Sequence, residues 1–358
     1  MTRPADSRPI LITGGAGFIG SNLADRLAGA GHEVIVYDAL SRPGVERNLA
    51  WLRKRHGSRI ASIIGDIRDE DEVVRAAADV KAAFHFAAQV AVTTSLVDPR
   101  EDFDINVRGT INLLDAVRVR GDRVPVIFAS TNKVYGDLGD LPFEELEGRY
   151  EPSGLMARRG IDESRSLDFH TPYGCSKGAA DQYVLDYARS FDVPTVVFRM
   201  SCIYGQRQMG TEDQGWVAHF LIRALEGEPI TIYGDGKQVR DILDVHDAVN
   251  AYVAALENID RVHGHAFNLG GGPSNAVSLL ELLDEMRDVT GRDVDLKFED
   301  WRQGDQRWYV SNTSAAQAAL GLPKARGWRE GVSRLANWLA SDRGFALETE
   351  PRLASAAQ

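Results

Sequence analysis

Over its first 200 residues the chain alternates short apolar runs with stretches whose apolar residues recur every three or four positions, and few folds accept that alternation. The runs Ile10 to Thr13, Glu33 to Asp38, Ala61 to Ile64, Ala82 to Ala87, Val124 to Ser130 and Thr195 to Met200 have the apolar density of strands covered on both faces. Between them, Asn22 to Ala30, Asp69 to Ala78, Asn106 to Val119 and Ser176 to Ser190 read as amphipathic helices. This order predicts an α/β fold built on a doubly wound parallel sheet, because right-handed crossovers place helices on both of its faces. After Met200 the regularity loosens. Gly-rich turns at Gly234 to Gly236 and Gly270 to Gly272, a helix at Ser278 to Thr290 and an aromatic stretch at Trp301 to Tyr309 predict a smaller second unit. Residues 136–169 lack periodicity and read as an excursion of lid-like length.

Charge and composition remove several classes of partner. The 41 Lys and Arg against 52 Asp and Glu leave a net charge of −11, which repels nucleic acid and anionic membrane surfaces, so any anionic ligand must be held locally. Two cysteines, Cys175 and Cys202, make no disulfide framework and have no metal-ligand spacing, so no metal site is expected and a reducing, cytoplasmic location is. The short polar start, Met1 to Arg8, and the lack of any apolar run of about 18 residues speak against secretion and membrane spanning.

Such a local anion site is visible at Gly14-Gly15-Ala16-Gly17-Phe18-Ile19-Gly20, directly after the first strand and at the opening of the first helix. Glycine lets the backbone turn sharply and approach a pyrophosphate, whose charge then meets the free N–H groups of the helix start. Asp38 closes the second strand, where a carboxylate accepts hydrogen bonds from both adenosine ribose hydroxyls and repels a 2′-phosphate. The expected cofactor is therefore NAD. Arg42 nearby keeps NADP as a second reading.

Tyr173 and Lys177 are four residues apart, one helical turn, so both can face one ligand. Ser130 and Thr131 end the fifth strand, at the edge where ligands of open α/β sheets bind. A phenolate base at neutral pH needs positive charge beside it, which Lys177 and an oxidised nicotinamide ring would provide. Hydroxyl, phenol and ammonium together suit removal of a proton from a sugar alcohol while a dinucleotide accepts the hydride.

Several strings of residues extend this reading: the glycine motif, Gly65-Asp66-Ile67, His85-Phe86-Ala87-Ala88, Asn106-Val107-Arg108-Gly109-Thr110, and Thr131 with Tyr173 and Lys177. With these the chain resembles the extended short-chain dehydrogenases/reductases that act on nucleotide sugars. More specifically, Ser130 to Gly136, Asp162 to Ser164, Leu167 to Tyr183, Arg207-Gln208, Asp213 to Trp216 and Gly234 to Asp241 resemble the CDP-paratose 2-epimerases, also called CDP-tyvelose epimerases. The resemblance implies inversion at C2 of a CDP-linked dideoxyhexose, with NAD kept bound and a 2-keto sugar as intermediate. Carried over, Tyr173 is the base, Lys177 lowers its pKa and holds the nicotinamide ribose, and Thr131 bonds the reacting oxygen. Asp66, Ile67, Phe86, Ala87, Ala88, Asn106 and Ser130, with Ser41 and Arg42 beside Asp38, complete the expected cofactor contacts. The implied layout is an NAD-binding Rossmann domain over 1–200, rejoined by 238–270, a nucleotide-sugar-binding domain over 201–237 and 271–345, and a flexible tail at 347–358.

Related sugar 4,6-dehydratases place an Asp-Glu pair directly after the catalytic Thr, where this chain has Asn132 and Lys133. An amide and an ammonium cannot do that carboxylate chemistry, which favours epimerisation. A 4-epimerase acting on a UDP-, CDP- or GDP-hexose remains the alternative, because shifting the bound sugar changes which carbon faces the ring. An NAD-sensing binding protein is the nonenzymatic rival. Arg240, Arg302 and Arg307, with Arg207, are candidate diphosphate clamps; Gln89, Gln208 and His170 are candidate contacts to sugar or base. His85 reads as a satisfied core histidine and Cys202 as a small buried side chain. The helices Asn106 to Val119 and Ser176 to Ser190 form, by resemblance, the interface of a homodimer or homotetramer.

Overall fold

The computed structural model describes residues 7–347, so the tail expected at 347–358 lies, Leu347 apart, outside the described residues. Seven parallel strands form the central sheet in the order His265–Leu269, Thr195–Met200, Val126–Thr131, Ala82–His85, Ile10–Thr13, Val34–Asp38, Ile60–Ile64. The doubly wound α/β class read from the alternation is the one observed. Strand order reverses beside Ile10–Thr13, whose neighbours are Val34–Asp38 and Ala82–His85, and in such sheets the ligand crevice opens outside the carboxyl ends at the reversal.

Each face of the sheet buries its own apolar layer. One packs Ile10, Ile12, Val34, Val36, Phe84 and Phe198 against the helices Phe18–Gly29, Val45–His56 and Val245–Glu257. The other packs Leu11, Ala83, Val126, Phe128 and Val197 against Glu70–Ala77, Gly109–Arg118 and the long helix Thr171–Phe191. Helices of 8 to 21 residues such as these are stabilised chiefly by that burial rather than by propensity.

A third apolar group gathers the helices Trp216–Glu226, Leu279–Thr290 and Trp328–Arg343. Helix Leu279–Thr290 opens with a capping box, Ser278 accepting from Glu281 N while Glu281 accepts from Ser278 N. The strand Val239–Asp244 links this group to the sheet side, pairing with Ala276–Ser278, Trp308–Tyr309 and Cys202–Tyr204.

The excursion over 136–169 has more structure than its composition suggests. It carries a hairpin, Phe143–Glu145 with Tyr150–Pro152, and a short helix, Leu155–Arg159. Leu138 and Ile161 are buried against Trp308, Tyr309 and Val310, and Ile161 N donates to Val310 O at 2.7 Å. Apolar anchors separated by about twenty residues have no period, which is why this packing was not legible.

Candidate active site

Steric demand explains the glycine loop before any ligand is considered. Gly14 has φ +68°, and a Cβ there would stand 2.7 Å from Ala87 N. A Cβ on Gly20 would run into the Gly14 carbonyl oxygen. Gly17 differs: its Cβ would meet only Gly14 O, at 3.1 Å, so this glycine keeps the outer face of the loop clear. Helix Phe18–Gly29 starts there without a side-chain cap, leaving its first N–H groups directed at the crevice. The loop, the uncapped helix start and the clear face fit a dinucleotide pyrophosphate.

Asp38 is part of the same loop. Its Oδ2 accepts from Ala16 N at 2.9 Å and its Oδ1 from Leu40 N at 2.8 Å, while burial pushes its carboxyl pKa up against those bonds. Each oxygen retains a lone pair for a ribose hydroxyl. Ser41 is exposed; Arg42 is half-buried, its pKa lowered by burial with Asp213 opposing. Asp66 is chelated by Arg68, with NH2 to Oδ2 at 2.6 Å, and lies below the usual carboxyl range. Ile67 packs against Gly109, where a Cβ would come within 2.6 Å of it. Phe86 N donates to Thr13 O at 2.9 Å and Ala87 N to Thr13 Oγ1 at 3.4 Å, which sets residues 86–88 along the crevice floor.

Helix Thr171–Phe191 begins five residues earlier than its apolar pattern indicated, with Pro172 in its first turn, so Tyr173 and Lys177 are both helical. Thr131 ends its strand, and its hydroxyl lies near enough to the Tyr173 phenol to favour the ionised form. Burial pushes the phenol up to about 12; the Thr131 hydroxyl works against this and the Asp102 charge adds to it. Burial also lowers the Lys177 ammonium to about 7, with Asp181 and Asp102 holding it up. Lys177 Nζ donates to Ala129 O at 2.6 Å and lies 4.2 Å from the Phe128 ring centre. In this arrangement the ammonium serves the strand, and the phenol's acidity is set by burial, Thr131 and Asp102.

Polar side chains behind the pair lock it in place. Asn106 accepts from Gln89 N at 2.9 Å and donates to Gln89 O and to Ser176 Oγ, both at 3.0 Å. Asp102 accepts from Gln89 Nε2 at 2.9 Å and from Ser176 Oγ. Gln89, read as a sugar contact, thus spends its amide on this brace. Ser130 turns away from the crevice and donates to Asp181 at 2.7 Å, a carboxylate that Arg199 grips with two bonds of 3.0 Å.

On the sugar side the candidate arginines separate. Arg240 is buried and donates to Asp305 Oδ1 at 2.6 Å; Lys133 Nζ reaches the same oxygen at 3.5 Å and Gly304 O at 3.0 Å. Asn132 donates to Gln306 Oε1 at 3.2 Å, so the catalytic strand end is tied to the segment 304–306 twice over. Arg302 lies on the Tyr233 ring at 3.8 Å and bonds Glu212 O at 3.0 Å, and Arg307 lies against Tyr150 and Trp301. Arg207 sits between the Trp51 and Trp338 rings, at 3.9 and 5.4 Å, rather than at a free anion site. Gln208 donates to Ile203 O at 3.2 Å, and its Oε1 is buried without a partner among the described residues. His170 pairs with Asp168 and Asp137 at the mouth of the excursion. Cys202 is half-buried and accepts from the Trp216 indole N–H at 3.3 Å. His85 is fully buried with both ring nitrogens bonded, as a core histidine should be.

Residues that sequence reasoning passed over include Asp102, Asp305, Ser176 and Asn48. Asn48, fully buried, donates to Ala16 O at 3.1 Å and to Arg207 O at 3.2 Å, holding the glycine loop from behind. Ser176 and Asp102 had faint signals, one directly before Lys177 and the other one turn before Asn106; Asp305 lay inside the aromatic stretch Trp301 to Tyr309, where only the arginines were picked out, and Asn48 had no signal.

Several known proteins are similar to this chain in sequence and in fold. A profile of the NAD dependent epimerase/dehydratase family matches residues 10–270. The CDP-paratose 2-epimerase of Salmonella typhi is 45% identical over 341 residues, 93% of this chain and 99% of that protein. Among solved structures, the UDP-glucuronic acid 4-epimerase of Bacillus cereus, in complex with UDP-glucuronic acid and NAD, superposes with a TM-score of 0.80 at 27% identity, covering 93% of this chain and 99% of its own. The dTDP-glucose 4,6-dehydratase of Streptomyces venezuelae, with NAD bound, gives 0.80 at 28% identity, covering 94% and 98%. Among the described residues no helix is long and apolar enough to cross a membrane, and no cluster of three metal-ligating side chains occurs.

Proposed function

Because the chain belongs to the NAD dependent epimerase/dehydratase family, we propose that it inverts C2 of a CDP-linked dideoxyhexose, converting a CDP-paratose-type sugar to its CDP-tyvelose-type epimer. The observation that carries the proposal is the Tyr173 phenol beside Thr131 at the carboxyl edge of the sheet, where Thr131 is followed by Asn132 and Lys133 rather than by carboxylates. Elimination from a sugar needs an extra acid and base at that edge; epimerisation through a ketone moves one proton and one hydride and needs neither. The 45% identity along nearly the whole chain supports C2 over the 4-epimerase alternative.

In this reading Tyr173 takes the proton from the C2 hydroxyl, and Thr131 fixes the reacting oxygen by hydrogen bonding. Lys177 turns from Ala129 to the nicotinamide ribose, where its charge eases ionisation of the phenol. Bound NAD supplies a reversible two-electron acceptor for the carbon being inverted. Tyr173 then returns the proton once the sugar has presented its other face, so no net redox change accompanies turnover. The glycine loop, Asp38 and residues 86–88 hold the dinucleotide, and Asp66, Ile67, Asn106 and Ser130 support that floor. The nucleotide sugar lies toward 201–237 and 271–345, with Arg240 on its diphosphate and Arg302, Arg307 and Gln208 around it. A homodimer or homotetramer in the cytoplasm completes the proposal.

The test is direct. CDP-, UDP- and GDP-sugars are offered to the purified holoenzyme in deuterium oxide and the products are read by NMR. Inversion at C2 of a CDP-sugar without carbon-bound deuterium is expected. Inversion at C4 instead, or deuterium at the inverted carbon, overturns the reading.

A further inference from the structure

Lys133 and Arg240 direct two cations at one carboxylate oxygen, Asp305 Oδ1, at 3.5 and 2.6 Å. The three side chains are 21%, 7% and 24% exposed, so the group is largely withdrawn from water. Among the described residues Asp305 is the carboxylate with which both cations pair. Asp241, next to Arg240 in its strand, faces the opposite way and accepts from Ser201 Oγ and from Gly272 N at 2.9 Å. One positive charge is left over in a site that solvates it poorly, and such a charge calls for an anionic ligand. Burial lowers the Lys133 pKa and Arg240 lowers it further, while Asp305 opposes both, as expected for two cations crowded on one anion.

The position of this charge matters more than its sign. Lys133 N donates to Thr131 Oγ1 at 3.2 Å, so the backbone of the residue that carries the cation is anchored on the hydroxyl assigned to the reacting oxygen. In a pyranose, C2 is bonded to the anomeric carbon that carries the diphosphate, whereas C4 lies across the ring. An enzyme that oxidises C2 must therefore bring the sugar-proximal phosphate closer to its Thr and Tyr than one that oxidises C4. Resting on the C2 reading, we infer that Lys133 is a substrate-binding residue that holds the sugar-proximal phosphate together with Arg240 and so draws C2, rather than C4, to Tyr173. Asp305 keeps the two ammonium and guanidinium groups side by side when no phosphate is present.

The test uses holoenzyme loaded with NAD, and titrates it with CDP and with CMP, which lacks the second phosphate, by calorimetry. Wild-type protein is expected to prefer CDP by about tenfold or more. Lys133→Met should lose about tenfold in CDP affinity with CMP changed by less than about threefold, and Lys133→Arg should recover most of the loss. Lys133→Gln, which keeps a donor for Gly304 O without charge, should behave like the Met variant and serves if that variant folds poorly. The KM for the CDP-sugar should rise with kcat much less affected, and bound NAD should stay constant. Equal losses for CDP and CMP, or unchanged CDP binding, overturn the assignment. NMR of the wild-type product separates the two claims: C2 inversion with normal CDP binding in the variants sinks the Lys133 role alone, and C4 inversion sinks the C2 reading and with it this account of regiochemistry.

Discussion

Ser176 donates its hydroxyl to the Asp102 carboxylate, and a buried anion thereby sits behind the helix turn that carries both Tyr173 and Lys177. Its charge raises the Tyr173 pKa and supports the Lys177 ammonium. Asp102→Asn keeps an acceptor for Gln89 and Asn106, and Ser176 can rotate to accept from the new amide, so the brace should survive. Removing a negative charge lowers a nearby phenol's pKa. The acid limb of the pH profile of kcat/KM should therefore move to lower pH in the variant; an unchanged limb, or one moved toward base, contradicts the coupling.

Tyr173→Phe removes the phenol while leaving a ring of nearly the same volume in a site only 9% exposed. General base catalysis contributes about a hundredfold to ten-thousandfold, so turnover should fall by about a thousandfold. Bound dinucleotide, measured by absorbance after denaturation, should be unchanged because the glycine loop is untouched. Normal turnover in this variant removes the proposed base.

Much of this site was legible because its chemistry is local in sequence. The glycine loop spans seven positions directly after a strand, and Tyr173 and Lys177 are one helical turn apart beside a strand that ends in Ser130 and Thr131, so spacing together with that context announced them. Strands were legible too, since a strand buried on both faces must be apolar throughout, and Ile10–Thr13 and Thr195–Met200 fall where the pattern placed them. Helix Val45–His56 escaped because it turns only Val45, Asn48, Leu49 and Leu52 inward, one of them polar. The start of the catalytic helix escaped because Thr171-Pro172-Tyr173-Gly174 interrupts the apolar period. Lys133 meets Asp305 across 172 residues, and only the folded chain brings such groups together.

Two glycine substitutions should separate packing from ligand approach. A Cβ at position 20 collides with the Gly14 backbone, which cannot move without disturbing the first strand. Gly20→Ala should cost about 1–3 kcal/mol and lose NAD together with stability. A Cβ at position 17 stands 3.1 Å from Gly14 O and otherwise projects over the loop face. Gly17→Ala, whose contact with Gly14 O is tight but longer, should lose much less thermal stability than Gly20→Ala yet purify with little dinucleotide. Equal behaviour of the two variants in melting and NAD content would show that the loop face is not the pyrophosphate seat.

His85 makes the chain's acid stability a readout of the floor beneath the cofactor. The Thr110 hydroxyl donates to Asn106 O at 2.6 Å, so it accepts from His85 Nε2–H at 3.0 Å, and His85 Nδ1 accepts from Thr13 Oγ1 at 2.6 Å. That fixes one neutral tautomer with no room for a second ring proton. Burial, with the Lys177 charge adding to it, pushes the imidazole down to about 3 from its ordinary 6.5. The folded pKa is the lower one, so this stabilising contribution is complete above about pH 6.5 and is lost as pH falls toward 3. At pH 5 the unfolded chain binds the proton and the folded chain does not, a difference of about 2 kcal/mol. His85→Gln lacks the titrating group. Denaturant unfolding at pH 7 and pH 5 should therefore show a smaller drop for the variant than for the wild type, even though the variant starts lower. A drop of equal size in both proteins would mean that other groups, and not this histidine, govern acid sensitivity.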